Sequence, residues 1–186
     1  MCFTDLLAEY IENIRPLLDR PFAFFGHSLG GLFAFECTRM INDLGLRRPD
    51  HLFIGSCPAP SLPIEKFSDQ SDDILITHLK EMDHSQKNVL DNPRFRELIL
   101  RILRADLEVR ESYHYLDNPK IDTPITVFIA PDDAYVPLDT VRHWKNQTTA
   151  DCNIKKLSGG HFFSGATHTL LSAISKTIKG YLNNDS

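Results

Sequence analysis

Residues 22–31 read Phe-Ala-Phe-Phe-Gly-His-Ser-Leu-Gly-Gly, and they carry the clearest indication of the fold in this sequence. Residues 22–25 form a short apolar run without alternation, which is typical of a strand buried on both faces of a parallel sheet. Gly26-x-Ser28-x-Gly30 follows the run, and a helical pattern continues from there until Gly45. The order predicts a strand, a sharp turn and a helix, with glycines where side chains would collide between strand and helix.

Ser28 is the candidate nucleophile of this turn. A serine at such a strand-to-helix turn is lifted out of the sheet, and the backbone N–H of Leu29 can face a developing oxyanion. The alternative is a glycine-rich turn that binds phosphate at a helix start. A P-loop would need Gly-Lys-Ser or Gly-Lys-Thr, and neither tripeptide occurs in this sequence.

The rest of the chain alternates between strand and helix patterns. Strands are predicted at 51–55, 125–130 and 153–157, and helices at 4–18, 138–146 and 166–182. This alternation predicts an α/β fold, one domain over residues 1–186, with a mostly parallel sheet covered by helices on both faces. Residues 58–120 contain helical patterns and no clear strand, so they are predicted to be a helical insertion.

A serine nucleophile needs a base and an orienting carboxylate. Asp132 and Asp133 follow the strand at 125–130, on the rim where the serine is expected. Asp133 is favoured over Asp132 as the acid, although either could only stabilise the turn. His161 follows the last strand after Gly159 and Gly160 and is the candidate base, 28 residues beyond Asp133.

The other histidines are predicted to have structural roles. His27 neighbours Ser28, but its side chain should leave the turn in another direction. Six more histidines are expected on the surface or in packing contacts, and they are His51, His78, His84, His114, His143 and His168.

Composition excludes several classes of protein. The chain has 186 residues with a net charge of −5, which disfavours a general nucleic-acid binder. No apolar run approaches the roughly 20 residues of a membrane helix, and the N-terminus lacks the pattern of a secretory signal. Zinc-site spacing is absent from the four cysteines, which are expected to be reduced thiols in a cytoplasmic protein.

Several segments together resemble type II thioesterases, which are α/β-hydrolases that serve nonribosomal peptide and polyketide synthases. They are GHSLGG (26–31), FAFE (33–36), RADLEVRESYHY (104–115), APDDAYVP (130–137) and LSGGHFF (157–163). The resemblance implies removal of acyl groups from the phosphopantetheine arm of carrier proteins, which would be the partners. It implies Ser28 as nucleophile, His161 as base and Asp133 as acid, with no metal or organic cofactor. It further implies a monomer in which the helices of 58–120 form a lid.

The resemblance also has a departure at the N-terminus. The family has more sheet before its first helix, including a glycine-containing loop that donates the second oxyanion N–H. Here three residues precede the helix at Thr4, and none of the first 25 residues is glycine. We therefore expect the N-terminal strands to be absent, the strand at 22–25 to be an exposed edge, and Leu29 to supply the oxyanion donor alone. A general carboxylesterase or lipase, or a truncated non-catalytic remnant, are the alternative functions.

A basic stretch is a candidate docking face for an acidic carrier protein. Residues 92–110 contain three acidic residues and five arginines, which are Arg94, Arg96, Arg101, Arg104 and Arg110. The alternative interpretation is an ordinary solvated helix face.

Overall fold

The computed structural model describes residues 2–82, 90–117 and 119–184 of the chain. Its strands are β1 (Ala23–His27), β2 (His51–Gly55), β3 (Ile125–Ile129) and β4 (Cys152–Lys156). Its helices are α1 (Phe3–Ile14), α2 (Leu29–Asp43), α3 (Asp72–Met82), α4 (Pro93–Glu111), α5 (Leu138–Arg142) and α6 (Thr167–Asn184). The predicted alternation of strands and helices is confirmed, with boundaries that differ by a few residues.

The strands form one parallel sheet in the order β1-β2-β3-β4. Every residue of β2 and β3 is buried, which matches their apolar sequences in the middle of a parallel sheet. Within the described part of the chain, β1 pairs with β2 alone and lies at the edge, where 47% of Phe25 is exposed. The expected apolar edge strand is therefore confirmed.

Helices cover both faces of the sheet, as the alternation predicts. On one face, Ala166 and Leu170 at the start of α6 pack against Phe53 and Phe128 of the central strands. On the other face, α1, α2 and α5 surround a larger core. Trp144, which follows α5, is fully buried in that core and donates its indole N–H to the Cys57 carbonyl at 2.9 Å.

The first helix is shorter than its sequence pattern predicts. Residues 4–18 suggest one helix, but α1 ends at Ile14 and continues as a 3₁₀ turn over Arg15–Leu17. Pro16 causes the change, because proline lacks the N–H that an α-helix would need there. The tighter turn leaves Leu17 66% exposed, whereas Leu7 and Ile11 of α1 are buried.

The described part of the insertion between β2 and β3 consists of loops with the helices α3 and α4, and it contains no strand. The two helices share a small core, formed by Leu75 and Ile76 of α3 with Leu100 and Leu107 of α4. Three apolar side chains on another face of α4 are 42–53% exposed, and they are Phe95, Leu98 and Ile102. Helical spacing fits either face, and packing against α3 selects the one that holds Leu100 and Leu107.

Both ends of the insertion are held by charged groups. At its start, the Glu111 carboxylate accepts hydrogen bonds from the backbone N–H groups of Phe67 (2.6 Å) and Ser68 (2.7 Å). At its end, Tyr113 donates its hydroxyl to Glu36 of α2 at 2.7 Å, and the same Glu36 oxygen pairs with Arg39 at 3.0 Å. These contacts give a structural reason for the glutamate and tyrosine of the stretch 104–115.

Free thiols occur at each cysteine, as the sequence predicts, with Cys37 and Cys57 buried and Cys2 and Cys152 half-buried. In the part of the chain that the structure describes, no helix has the length and hydropathy needed to cross a bilayer.

His51 is a packing residue, as expected, and it joins three elements of the fold. Its ring nitrogens contact the Tyr181 hydroxyl of α6 at 2.7 Å and the Thr126 hydroxyl of β3 at 2.8 Å. Burial, with a smaller effect of the positive Lys155, lowers the pKa of His51 to about 4. The ring is therefore neutral in the folded protein at neutral pH.

Acidification should destabilise the fold through His51. Between pH 6.5 and 4 the unfolded chain protonates this residue and the folded chain does not, so stability falls as the pH falls. His51→Gln should reduce this slope by up to about 1.4 kcal/mol per pH unit, measured by urea unfolding at several pH values. His143→Gln, at an exposed position, is the control and should keep the wild-type slope. An unchanged slope in His51→Gln would contradict the assignment.

Candidate active site

Ser28 lies in the sharp turn between β1 and α2, where the sequence predicts it. Its backbone has φ of 52° and ψ of −122°, a conformation that non-glycine residues rarely adopt. The turn is fixed from two sides, because the Ser28 N–H donates to the Gly55 carbonyl at 2.8 Å and the Gly31 N–H donates to the Ser28 carbonyl at 2.9 Å. Such strain persists where the surrounding structure holds it, and it is common at functional sites.

The predicted steric need for glycine is confirmed at Gly26 and is wrong at Gly30. A Cβ on Gly26 would lie 2.0 Å from the Gly30 carbonyl oxygen, so this position cannot carry a side chain. Apart from its chain neighbours and the backbone of its own helix, no atom of the described residues lies within 4 Å of a Cβ built on Gly30. Gly31 is the crowded position on the helix, because its Cβ would lie 2.8 Å from Cβ of Cys57.

Asp133 and His161 form a buried pair. Oδ2 of Asp133 lies 2.9 Å from Nδ1 of His161, and the two side chains are 0% and 4% exposed. The other oxygen of Asp133 accepts the backbone N–H groups of Tyr135 at 3.0 Å and Val136 at 3.3 Å. Asp132 instead accepts the Gly160 N–H at 3.2 Å. Of the two aspartates, the structure thus brings Asp133 to the imidazole.

The electrostatics of the pair favour a carboxylate. Burial raises the pKa of the Asp133 carboxyl, but hydrogen bonding to His161, the positive charge that His161 can carry, the Tyr135 N–H and the Ser56 hydroxyl together outweigh it. The net result is a pKa below the usual value. Asp133 is therefore ionised at neutral pH and can orient the imidazole of His161.

Ser28 and His161 are not joined by a hydrogen bond in this structure. Nε2 of His161 is buried and has no hydrogen-bond partner among the described residues. Catalytic hydrogen bonds are often long before substrate binds and tighten only in the complex. The structure therefore brings Asp133 to His161, and it places Ser28 at the end of β1 without a hydrogen bond to His161.

His27 packs beside the pair instead of leaving the site. Its ring lies 5.2 Å from the ring of His161, and close to Phe162 and Phe163. Burial is the main reason that the pKa of His27 falls to about 4, and the neighbouring His161 lowers it further. A neutral His27 adds no positive charge next to the imidazole.

Two residues near the site, Ser56 and Tyr135, have contacts that sequence reasoning missed. Ser56 follows β2 and donates its hydroxyl to the His161 carbonyl at 2.8 Å. Tyr135, beside Asp133, hydrogen-bonds through its hydroxyl to Glu81 of α3 and packs against His78, with 4.0 Å between ring centroids. Ser56 could have been found from its place directly after a strand, but the contacts of α3 depend on packing of distant segments.

Comparison with known proteins assigns the chain to a family. A model of the Thioesterase domain family matches residues 2–179. The chain belongs to the thioesterase family. Among curated relatives of this thioesterase-family chain, the gramicidin S biosynthesis protein GrsT of Aneurinibacillus migulanus is 34% identical over 154 residues. The linear gramicidin dehydrogenase LgrE of Brevibacillus parabrevis is 32% identical over 190 residues.

Coverage differs between this chain and its relatives. The alignment spans 82% of this chain and 60% of GrsT, and 97% of this chain and 72% of LgrE. The RedJ thioesterase of the prodiginine pathway in Streptomyces coelicolor matches with a TM-score of 0.82 and 29% identity, over 92% of this chain and 68% of that chain. The type II thioesterase BorB from the borrelidin biosynthetic cluster has a TM-score of 0.83 and 26% identity, covering 94% and 72%. The α/β-hydrolase fold expected from the sequence is thereby confirmed.

Two alanine substitutions test the turn that contains Ser28 in this thioesterase-family chain. Gly26→Ala should destabilise the fold by about 3 kcal/mol or more, because the obstructing atom belongs to the backbone. Gly30→Ala should leave stability unchanged or raise it by up to about 1 kcal/mol, as expected for a helical glycine with free space. Urea unfolding of both variants measures the difference, and equal destabilisation by the two substitutions would contradict the geometry.

Proposed function

We propose that this chain is a serine thioesterase that hydrolyses acyl groups from the phosphopantetheine arm of carrier proteins of nonribosomal peptide and polyketide synthases. The observation that carries the proposal is the buried contact of 2.9 Å between Asp133 and His161, on the rim of the sheet that also holds Ser28. The family match and the names of the relatives support the substrate class. The free thiols are consistent with a reducing cytoplasm.

The reaction follows from the proposed roles. His161 accepts the Ser28 proton through Nε2 while Asp133 holds its other nitrogen, and the Ser28 oxygen attacks the thioester carbonyl. The carbonyl C–S bond then breaks, the pantetheine sulfur takes the proton from His161, and the acyl group remains on Ser28. Water, deprotonated by His161, attacks the acyl-enzyme, releases the free acid and restores the Ser28 hydroxyl.

Leu29 is proposed as an oxyanion donor. It is the first residue of α2, where backbone N–H groups lack partners within the helix and the helix dipole favours negative charge. The tetrahedral intermediate carries its negative charge on the former carbonyl oxygen, beside the Ser28–Leu29 turn. One backbone donor contributes about 3–4 kcal/mol to such an intermediate.

The first experiment compares this chain with Ser28→Ala on an acyl-loaded carrier protein. Free acid should be released by the wild type, and Ser28→Ala should reduce the rate by about 10⁴-fold or more. Ser172→Ala, at an exposed position on α6, is the matched control and should retain activity. Faster hydrolysis of a matched oxygen ester would favour a carboxylesterase. Absence of release by a folded, monodisperse sample would favour the non-catalytic alternative.

Only part of α4 presents exposed arginines, and this part is the proposed docking face for the carrier protein. Arg94 and Arg101 are exposed and lie about two turns apart on α4. Each is about one turn from Leu98, which is 42% exposed. Arg96 donates to the Leu90 carbonyl at 2.9 Å, and Arg104 pairs with Asp72 at 2.5 Å. We propose that Arg94 and Arg101 form ion pairs with acidic side chains of the carrier. Phe95, Leu98 and Ile102, the exposed apolar ridge beside these arginines, contact the carrier surface.

Charge reversal tests the docking face. The double variant Arg94→Glu, Arg101→Glu should lower kcat/KM for the acyl carrier about tenfold, because like charges then oppose association. A small acyl thioester, which needs no docking, should react at the wild-type rate. Arg142→Glu, which reverses one exposed charge on α5, is the control. Equal losses with both substrates would contradict docking at this face.

A further inference from the structure

Ser56 occupies a strained and buried position directly after β2. Its φ is 43°, in the region that favours glycine, and its side chain is fully buried. Its N–H donates to the Phe128 carbonyl of β3 at 3.0 Å, which holds the residue against the central strands. A left-handed conformation costs a residue with a Cβ about 1–2 kcal/mol relative to glycine.

The hydroxyl of Ser56 anchors the residue that carries the imidazole. It donates a hydrogen bond of 2.8 Å to the backbone carbonyl of His161. The same hydroxyl is one of the groups that lower the pKa of the Asp133 carboxyl, after the larger effects of burial and His161. The direct hydrogen bond of Ser56 is therefore the one to the backbone of His161.

The loop that carries His161 needs such an anchor. Gly159 and Gly160 have φ of 98° and 62°, so the backbone before His161 has the conformational freedom of glycine. Two hydrogen bonds from other strand ends hold the loop, one between the Gly160 N–H and Asp132 after β3 and one between Ser56 and the His161 carbonyl. Each bond fixes one residue of the segment that ends in the imidazole.

We propose that Ser56 is a positioning residue, which holds the backbone of His161 so that the contact between Nδ1 of His161 and Oδ2 of Asp133 is kept. The inference rests on the proposed Ser28–His161–Asp133 chemistry for its catalytic consequence. Glycine would adopt the conformation of residue 56 without strain but has no hydroxyl. The serine at this position therefore combines a conformational cost with a hydrogen bond that glycine cannot supply.

The test compares Ser56→Ala and Ser56→Gly. Both variants lose the hydroxyl, but glycine relieves the strained backbone, so the two should differ in stability. Both should lower kcat for an acyl thioester by about 10- to 100-fold, which is the size of effect expected when a catalytic group is misplaced. KM should stay within about twofold, because the hydroxyl bonds to the backbone of His161 and has no proposed contact with the acyl chain.

A spectroscopic readout separates positioning from general damage. In the wild type, the proton between Nδ1 of His161 and Asp133 should give a downfield proton NMR signal, which should be lost or broadened in both Ser56 variants. Thr38→Val is the matched control, because Thr38 is also buried and donates a hydroxyl to a carbonyl at 2.8 Å. It should keep both the signal and kcat.

The outcomes distinguish the two proposals. An unchanged NMR signal and kcat in the Ser56 variants would overturn the positioning role. If the wild type has no Ser28-dependent turnover, the proposed function fails, and the NMR comparison still decides whether Ser56 holds the pair. If Ser56→Ala does not fold, Ser56→Gly provides the decisive comparison because its backbone is relaxed.

Discussion

The arrangement of the site depends on one carboxylate that stays ionised in the protein interior. Burial opposes the charge of Asp133, and the imidazole of His161 with two backbone N–H groups offsets that penalty. The interaction is reciprocal, because the same carboxylate fixes the orientation of the imidazole at 2.9 Å. A buried carboxylate that lacked some of these hydrogen bonds would destabilise the folded protein. The loops after β3 and β4 therefore have to pack together.

The parallel sheet is what makes this closure possible. Ser28, Ser56, Asp133 and His161 come shortly after β1, β2, β3 and β4 respectively. Because the carboxyl ends of parallel strands lie on the same rim, four segments that are far apart in sequence deliver side chains to one place. The order of the strands in the sheet also matches their order along the chain, so Asp133 and His161 follow adjacent strands, whereas Ser56 reaches the His161 backbone from the far side of β3.

Among the described residues, polar contacts fasten the helical insertion within itself, to α2 and to the rim. Glu111 and Tyr113 fasten its ends, while Tyr135 joins α3 to the turn that contains Asp133. The internal core of α3 and α4 is small, and most of the apolar surface of Phe95 and Ile102 remains outside it. This combination of fixed ends and an exposed apolar ridge is the reason that the insertion carries the proposed docking face.

Local signals were sufficient for the elements and for most of the candidate site. The glycine-serine turn, the apolar strands and the glycine pair before His161 each depend on neighbours in sequence, so their patterns predicted the α/β fold and three of the four rim residues. The tertiary structure decided the choice between Asp133 and Asp132, because adjacent aspartates have the same chemistry and differ only in direction. It also decided which face of α4 is buried and revealed Ser56, since both depend on contacts between distant segments. Short-range periodicity determines where a side chain lies on its own element, and long-range packing determines what that side chain touches.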